Sequence, residues 1–185
     1  MNVDATAIPG VLILEPRVLS DARGDFFETW SLLRYAQAGL PKTFVQDNVS
    51  RSQRGVLRGL HYQLPNAQGK LLSVLEGEIF DVAVDIRRGS PTFGQWVGAT
   101  LSAENHRQLY VPPWCAHGFQ ATSATAVVVY KCTEYYHQAS EHSVLWSDEE
   151  LAIAWALPPV LSDKDRDAPL LRDIPVSDLP EYHAT

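Results

Sequence analysis

The residue whose setting most favours chemistry is His61, in the run RGLHYQ at positions 58–63. A single histidine on a strand is more often structural than catalytic, but the neighbouring Gly59 and the nearby Arg58 favour a functional role. The pKa of imidazole is ordinarily about 6.5, so this side chain accepts and releases protons near neutral pH. His61 is therefore the candidate base, and we expect a carboxylate to orient it.

A second candidate is His117, in the run PPWCAHGF at positions 112–119. A proline pair at a strand edge is typical of a rim, and His117 would lie just inside it, although a structural turn explains the same residues equally well. Many jelly-roll metalloenzymes use a His-x-His pair, but the run at 61–63 is HYQ. Two distant histidines without a third ligand make a poor metal site, so we predict no metal.

A tyrosine-rich run, YKCTEYY, occupies positions 130–136. Strand alternation would place every second residue from Tyr130 to Tyr136 on one face. That face is either the wall of a pocket, with a phenol donor and an aromatic platform, or a packed tyrosine surface. The run LSDKDRDAP at 161–169 is dense in charge and predicts, from composition alone, a solvated loop.

Four cations lie in runs that resemble turns or strand edges. They are Arg23, Arg58, Lys70 and Lys164. Scattered cations are usually solvated, but a diphosphate ligand would give them a common role because arginine binds phosphate through two parallel hydrogen bonds.

These residues depend on a chain of strongly β character. Residues 11–15 predict a strand, and 31–38 (SLLRYAQA) predict a short helix that ends at the stop signal GLP. Apolar runs with turn residues between them predict further strands at 44–51, 55–63, 70–75, 79–87, 93–101, 107–111, 118–121 and 126–133. Many short strands with little helix favour a jelly roll, which commonly has an internal ligand cavity.

Length and composition narrow the class of protein. The 185 residues predict a single domain, 1–185, in which the Pro- and Asp-rich segment 157–185 wraps the barrel. A net charge of -7 argues against nucleic-acid binding, and Cys115 and Cys132 imply no disulfide framework. Residues 1–9 show no signal peptide, and no apolar run reaches the length of a membrane span. We therefore expect a cytoplasmic protein with no membrane partner.

Several runs together resemble the dTDP-4-dehydrorhamnose 3,5-epimerases, from about residue 10 to residue 171. The most specific are DARGDFFE at 21–28, QDN at 46–48 and VLRGLHYQ at 56–63. The stretch 77–118, YKCT at 130–133 and LSDKD at 161–165 complete the set. So many matching runs in the same order make chance agreement implausible.

The resemblance implies a mainly β, cupin-type double-stranded β-helix, or jelly-roll barrel, with a few short helices. It also implies a homodimer that needs no cofactor and inverts C3 and C5 of dTDP-4-dehydro-6-deoxyglucose in dTDP-L-rhamnose biosynthesis. The first alternative is a relative that acts at one carbon only. A non-catalytic sugar-nucleotide-binding cupin and a metal-dependent cupin isomerase or dioxygenase are the others.

Position by position, the resemblance implies that His61 accepts a proton, that Asp165 is its carboxylate partner and that Tyr130 donates a proton on the opposite face of the sugar. Lys70 would lie beside the C4 ketone oxygen, and Tyr136 would stack on the thymine ring. The other implied substrate-contacting residues are Arg23, Phe26, Glu28, Gln46, Asp47, Asn48, Arg58, His117, Glu141 and Lys164.

One point of geometry stays open in the sequence. Strand alternation puts Arg58 and His61 on opposite faces, although both are assigned to the same substrate. Either Gly59 marks a bulge, or Arg58 reaches its ligand another way. A site shared across a dimer interface is a further possibility.

Overall fold

The computed structural model describes residues 1–183, which form thirteen strands and two short α-helices. The strands are β1 Asn2–Ala5, β2 Leu12–Glu15, β3 Val18–Asp21, β4 Gly24–Phe27, β5 Gln46–Gln53, β6 Leu57–Gln63, β7 Lys70–Glu76, β8 Glu78–Asp85, β9 Trp96–Ser102, β10 Gln108–Val111, β11 Cys115–Ala121, β12 Thr125–Cys132 and β13 Glu141–Ser143. The helices are α1 Leu32–Gln37 and α2 Asp163–Arg166. In this part of the chain, no helix is long and apolar enough to cross a membrane.

Two antiparallel sheets pack against each other as a cupin-type jelly roll, which confirms the predicted fold class. The six-stranded sheet has the order β1-β2-β10-β7-β12-β5, and the five-stranded sheet has the order β13-β6-β11-β8-β9. Leu72 and Val128 of the first sheet share a buried core with Ala83 and Phe119 of the second. The cleft described below opens between the same two sheets.

The predicted elements form with small shifts at their ends. The helix predicted at 31–38 is α1, with Ser31 and Ala38 as its flanking residues. The strands predicted between 44 and 133 correspond to β5–β12. The structure adds β1, β3, β4 and β13, which are only three or four residues long and are mostly exposed or half-buried. Such short segments carry too little apolar alternation to be predicted.

Strand β8 is buried on both faces, which its alternating sequence does not predict. Val82 and Val84 pack into a cluster on the outer face of the five-stranded sheet, whereas Ile79 and Ala83 face the core between the sheets. Asp81 lies between Ile79 and Ala83 and is completely buried. The polar positions of β8 therefore do not face solvent, and Asp81 points toward the interior.

The outer face of the five-stranded sheet is covered by the C-terminal part of the chain. Leu171, Ile174 and Leu179 are buried in one cluster with Leu60 and Tyr62 of β6. Because neighbouring residues on a strand face opposite sides, His61 lies on the inner face, between these two covered positions.

The prediction of a solvated loop at 161–169 is wrong for the centre of this run. Residues Asp163–Arg166 form α2, and Asp165 is only 3% exposed. Ser162 begins the helix, because its Oγ accepts a hydrogen bond from the backbone N–H of Asp165 at 3.2 Å. The helix cap and the contact with β6 therefore stabilise a helix here, although the high charge of the run favours a solvated loop.

A β-bulge at Gly59 places Arg58 and His61 in the same cleft. His117 of β11 pairs with His61, but Phe119 pairs with Arg58, so β6 carries one extra residue. Gly59 has a φ of +129°, and a Cβ there would lie 2.5 Å from the Cα of Gly118. Only glycine fits this close approach. Of the alternatives that the sequence left open, the bulge is therefore the one that the strand pairing shows.

The hairpin of β3 and β4, which we call the arm, forms a separate two-stranded sheet. Phe26 near its end is 73% exposed, and Leu19 is 52% exposed. The ring of Phe27 contacts the ring of His106 at 4.5 Å between centroids, next to a 3.7 Å contact between His106 and Asp25. The arm thus presents apolar side chains that residues 1–183 leave largely exposed.

Candidate active site

A cavity of about 520 Å³ lies between the two large sheets. Residues of β6 and β11 line one wall, residues of β7 and β12 line the other, and residues of α2 complete the lining. A smaller lobe of about 260 Å³ shares His61, Lys70, Tyr130, Tyr136 and Glu141 with it. The two lobes therefore form one cleft, and the shared side chains lie where they meet.

His61 is paired with Asp165. The Nε2 atom of His61 lies 2.5 Å from Oδ1 of Asp165, and Ser162 Oγ donates to Oδ2 of the same carboxylate at 2.8 Å. Burial opposes ionisation of Asp165, but the hydrogen bonds from His61 and Ser162 outweigh it. Together with the nearby charge of Lys164, they hold the pKa of Asp165 below its ordinary value. Because a carboxylate only accepts, Nε2 carries a hydrogen and Nδ1 is left as the basic nitrogen.

His117 has a carboxylate partner of its own. It lies directly across from His61 in the pairing of β11 with β6, and its Nε2 atom is 2.5 Å from Oδ1 of Asp81. Asp81 is fully buried, and the side chain of His117 is 8% exposed. Within residues 1–183, Oδ2 of Asp81 has no hydrogen-bond partner. The cleft therefore contains two histidine–aspartate pairs side by side.

The opposite wall presents Lys70 and Tyr130, which β7 and β12 bring together in the six-stranded sheet. Burial lowers the pKa of Lys70, so a negative charge arriving beside it would favour its charged form. Burial raises the pKa of Tyr130, Cys132 acts in the same direction, and Arg58 opposes them. The phenol therefore keeps its proton at neutral pH. It is available as a donor, and it faces His61 from the other sheet.

Further polar side chains line the larger lobe. Arg58 donates from Nε to Ser52 Oγ at 3.1 Å. Glu141 accepts from Lys164 Nζ at 2.8 Å and from the hydroxyl of Tyr136 at 3.3 Å. The Glu141 carboxylate thus holds a cation and an aromatic ring together at the edge of the cleft.

Amide side chains line the smaller lobe. Gln46 Nε2 donates to Asn48 Oδ1 at 3.0 Å, and Gln46 Oε1 accepts from the backbone N–H of Tyr136 at 3.0 Å. Asn48 Nδ2 lies 3.6 Å from Cys132 Sγ. Side-chain amides offer both donors and acceptors, so this lobe suits a heterocyclic base.

Four of the residues assigned to the substrate do not line either lobe of the cleft. They are Arg23, Phe26, Glu28 and Asp47. Asp47 alternates with Gln46 and Asn48 on β5, so it faces outward and accepts from Lys131 Nζ at 2.9 Å. The other three belong to the arm or directly follow it, where Arg23 pairs with Asp21 and Glu28 pairs with Arg34.

The expected alternation from Tyr130 to Tyr136 is wrong beyond Cys132, because β12 ends there. Tyr136 still lines the cleft, but it does so from the loop that follows the strand. Its side chain is half exposed, which leaves the ring available to a flat ligand.

Sequence reasoning missed two residues of the site, Asp81 and Ser162. The available signal for Asp81 was its position two residues from both Ile79 and Ala83, which placed a carboxylate on a face that proved apolar. The signal for Ser162 was its position directly before the acidic run at 163–167, which is typical of a helix cap.

Metal-ligating side chains and thiols are the other groups of the protein that could take part in chemistry. No three His, Cys, Asp or Glu side chains of the described chain are placed to hold a metal ion together. Cys115 and Cys132 are buried and free. Burial raises the pKa of both thiols, which keeps them protonated and unreactive near neutral pH.

Comparison with known proteins identifies the family. A model of the dTDP-4-dehydrorhamnose 3,5-epimerase family matches residues 5–173. The chain belongs to this family. It is 53% identical over 176 residues to the dTDP-4-dehydrorhamnose 3,5-epimerase of Pseudomonas aeruginosa, covering 94% of this chain and 97% of that protein. It is 56% identical to that of Salmonella typhimurium, covering 92% of this chain and 96% of that one.

A similar family member has been solved with a nucleotide sugar. The structure of dTDP-6-deoxy-D-glucose-3,5-epimerase from Legionella pneumophila, in complex with dTDP-4-keto-L-rhamnose, has a TM-score of 0.96 and 54% identity. The match covers 99% of each chain. The family and the fold expected from the sequence runs are thus confirmed.

Proposed function

We propose that this chain is a dTDP-4-dehydrorhamnose 3,5-epimerase, which inverts C3 and C5 of dTDP-4-dehydro-6-deoxyglucose in dTDP-L-rhamnose biosynthesis. The observation that carries the proposal is the placement of His61 and Tyr130 on facing sheets, at the junction of the two lobes. A base and an acid on opposite sides of a sugar ring are what inversion at carbon requires.

The proton transfers follow from the geometry. A C–H bond beside a ketone is acidic because its electron pair delocalises onto the ketone oxygen as an enolate. His61 takes the proton at Nδ1, since Nε2 is bonded to Asp165. Lys70 meets the negative charge that develops on the oxygen. Tyr130 then donates a proton to the carbon from the other face, which inverts the centre and leaves a phenolate. Solvent returns a proton to the phenolate and takes the proton from His61 Nδ1, so that both groups are restored before the next carbon reacts.

The same residues serve two carbons. C3 and C5 both adjoin the C4 ketone, so one base and one cation act on each after a small shift of the ring. General acid–base catalysis typically contributes about 10²–10⁴-fold, and a positioned charge beside an oxyanion contributes roughly 10²–10³-fold. All of these groups belong to the chain itself.

The nucleotide extends along the rest of the cleft. Arg58 and Lys164 supply positive charge to the larger lobe, and His117 adds a ring nitrogen, so these side chains suit a diphosphate. Gln46 and Asn48 suit the edge of the thymine base, and Tyr136 supplies an exposed ring for stacking.

A homodimer completes the proposed enzyme. The arm exposes Phe26 and carries Arg23, and Glu28 directly follows it, yet none of the three lines the cleft of its own chain. We propose that the arm reaches the cleft of a second copy, so that these residues contact the substrate there. We also propose a single domain, in which the described part of the predicted 157–185 segment, residues 157–183, wraps over the sheet; residues 184–185 lie outside the described part of the chain. The proposed place of work is the cytoplasm, where the two free thiols stay reduced.

Deuterium exchange tests the activity. The ketosugar is incubated with the protein in D₂O, and C3 and C5 are read by NMR. Label and inversion at both carbons are expected; label at one carbon only would replace the proposal by a single-carbon epimerase. His61→Asn should give no label, whereas His183→Asn, at an exposed histidine, should behave as wild type.

Mixing two variants tests the shared site. His61→Asn and Arg23→Met each lose activity, but a mixed dimer has one cleft with both an intact His61 and an intact Arg23 from the partner arm. Recovery of activity on mixing, together with a dimeric mass in solution, is expected. A monomeric mass, or no recovery from a mixture that contains the mixed dimer, would refute the shared site.

A further inference from the structure

The His117–Asp81 pair combines a fully buried carboxylate with very few donors. Oδ1 of Asp81 meets His117, and Oδ2 meets no donor in the chain as far as residue 183. A carboxylate removed from water is stable as an anion only when a nearby positive charge compensates for its lost hydration. Among the described residues, His117 is the one hydrogen-bond partner of Asp81, so that compensation falls to its ring.

We propose that Asp81 holds His117 in its protonated form, as an imidazolium that binds the diphosphate of the substrate. Asp81 is then a positioning residue, since it acts on the ligand through His117. This inference rests on the proposed function for the identity of the ligand, and it adds a role for a residue outside the reacting centre.

The hydrogen positions on the ring support the charged form. Nε2 of His117 carries a hydrogen toward Asp81, so in the neutral ring Nδ1 carries only a lone pair. A lone pair repels a phosphate oxygen. Nδ1 donates to phosphate only when the ring has both hydrogens, which is the imidazolium.

Other charges around the cleft explain why a buried anion is needed. The titratable groups that line it with His117 are Arg58 and His61 from β6, Lys70 from β7, Tyr130 from β12, Tyr136 from the loop after β12, Glu141 from β13, and Lys164 and Asp165 of α2. Glu141 accepts from Lys164 Nζ at 2.8 Å, so its charge is partly matched by that cation. The cations among them disfavour one more positive charge in the empty cleft. Asp81 offsets that repulsion from behind the ring, and the diphosphate adds to the stabilisation when it binds.

The protonation state of His117 is measured directly by NMR of the ring nitrogens in protein labelled with ¹⁵N-histidine. The signals are assigned with His117→Asn, and the probe is dTDP. In the dTDP complex at pH 8 both ring nitrogens of His117 should be protonated. A neutral ring in that complex would overturn the proposal. This measurement uses the wild-type protein and does not depend on the folding of an Asp81 variant.

A matched pair of variants separates the role of Asp81 from structural damage. In Asp81→Asn the ring loses its proton above about pH 6.5, so the dissociation constant of dTDP at pH 8 should rise about tenfold to a hundredfold relative to wild type. At pH 5.5 the two proteins should agree within about threefold. Asp165→Asn should keep the wild-type dissociation constant at both pH values while losing turnover. An Asp81→Asn defect of equal size at both pH values would indicate a purely structural role and overturn the proposal.

The two proposals fail in different ways. A protein that epimerises the ketosugar while His117 stays neutral in the dTDP complex retains the proposed function and refutes this inference. A protein that binds dTDP through protonated His117 but exchanges no deuterium refutes the epimerase and supports the role of Asp81.

Discussion

His61 and His117 are neighbours on adjacent strands, and each ring nitrogen Nε2 lies 2.5 Å from a carboxylate oxygen. The carboxylates differ in what else they meet. Asp165 also accepts from Ser162 and lies near Lys164, whereas the second oxygen of Asp81 has no partner in the described part of the protein. We propose that the first carboxylate is stable as an anion beside a neutral ring and that the second requires a charged ring.

This difference shows that the histidine–aspartate contact alone does not define a role. A neutral ring with a free Nδ1 is a base, and a doubly protonated ring is a cation for phosphate. The surroundings of the carboxylate decide between the two. Variants of the site test whether His61 acts as the base while His117 acts as the cation for phosphate, and the largest effect is expected for the histidines themselves.

Exchanging the two histidines for asparagine should separate turnover from binding. His61→Asn should lower kcat about 10²–10⁴-fold because the base is lost, with the dTDP dissociation constant nearly unchanged. His117→Asn should mainly raise the dissociation constant of dTDP, with a smaller effect on kcat. Steady-state kinetics and calorimetric titration measure both. Equal losses of kcat and of affinity in the two variants would show that the pairs share one role.

Lys70 and Arg58 should likewise differ, one affecting turnover and the other affecting the binding of dTDP. Lys70→Met should lower kcat roughly 10²–10³-fold, because the charge on the enolate oxygen loses its partner. Arg58→Met should instead raise the dTDP dissociation constant and reduce kcat far less. A large effect of Lys70→Met on dTDP binding, with kcat unchanged, would place Lys70 at the diphosphate and contradict its assignment to the ketone.

Removing the hydroxyl of Tyr130 should uncouple exchange from inversion. In Tyr130→Phe, His61 still removes the proton and can return a deuteron on the same face, so label enters without inversion while net epimerisation falls about 10²-fold. Tyr62→Phe is the matched control, because that hydroxyl donates to the backbone oxygen of Asp178. An unchanged ratio of exchange to inversion in Tyr130→Phe would assign the acid elsewhere.

Ser162→Ala should give the smallest effect, about 1–2 kcal/mol in the free energy of unfolding at pH 7. The folded pKa of Asp165 is depressed, in part by Ser162. Its contribution to stability is therefore present above the unfolded pKa of about 3.9 and is lost as the pH falls through the lower folded value. The difference from wild type should therefore be smaller at pH 3 than at pH 7, because part of this contribution is lost below the unfolded pKa.

Urea unfolding at the two pH values measures this difference. Ser177→Ala is the control, since the exposed Ser177 donates from Oγ to Asp178 Oδ1 at 2.9 Å, and it should stay within about 0.5 kcal/mol. A Ser162→Ala defect of equal size at pH 7 and pH 3 would show that Ser162 acts only as a cap.

The sequence predicted the long strands well, because each has enough residues to show an apolar pattern. It did not predict Asp81 as an interior residue, because alternation shows which residues share a face and not what covers that face. The outer face of β8 is covered by residues far along the chain, among them Leu171 and Leu179. The sequence also did not predict helix α2, because the high charge of residues 161–169 indicated a solvated loop.

The partners of the two histidines were hard to predict for the same reason. Asp165 is 104 positions from His61, and Asp81 is 36 positions from His117. No local spacing joins either pair, and only family resemblance suggested Asp165. The bulge at Gly59 was an open alternative, since a glycine in a strand marks either a bulge or a close approach, and here it marks both.

The separation between His61 and Asp165 also has a consequence for synthesis of the protein. The ribosome makes the base about a hundred residues before the carboxylate that orients it, and the segment that carries the carboxylate also seals the outer side of the sheet. A nascent or truncated chain that lacks this segment holds most of the cleft but has an unoriented imidazole. With the roles proposed above, the base is oriented only after the segment that carries Asp165 has been synthesised and has packed against the sheet.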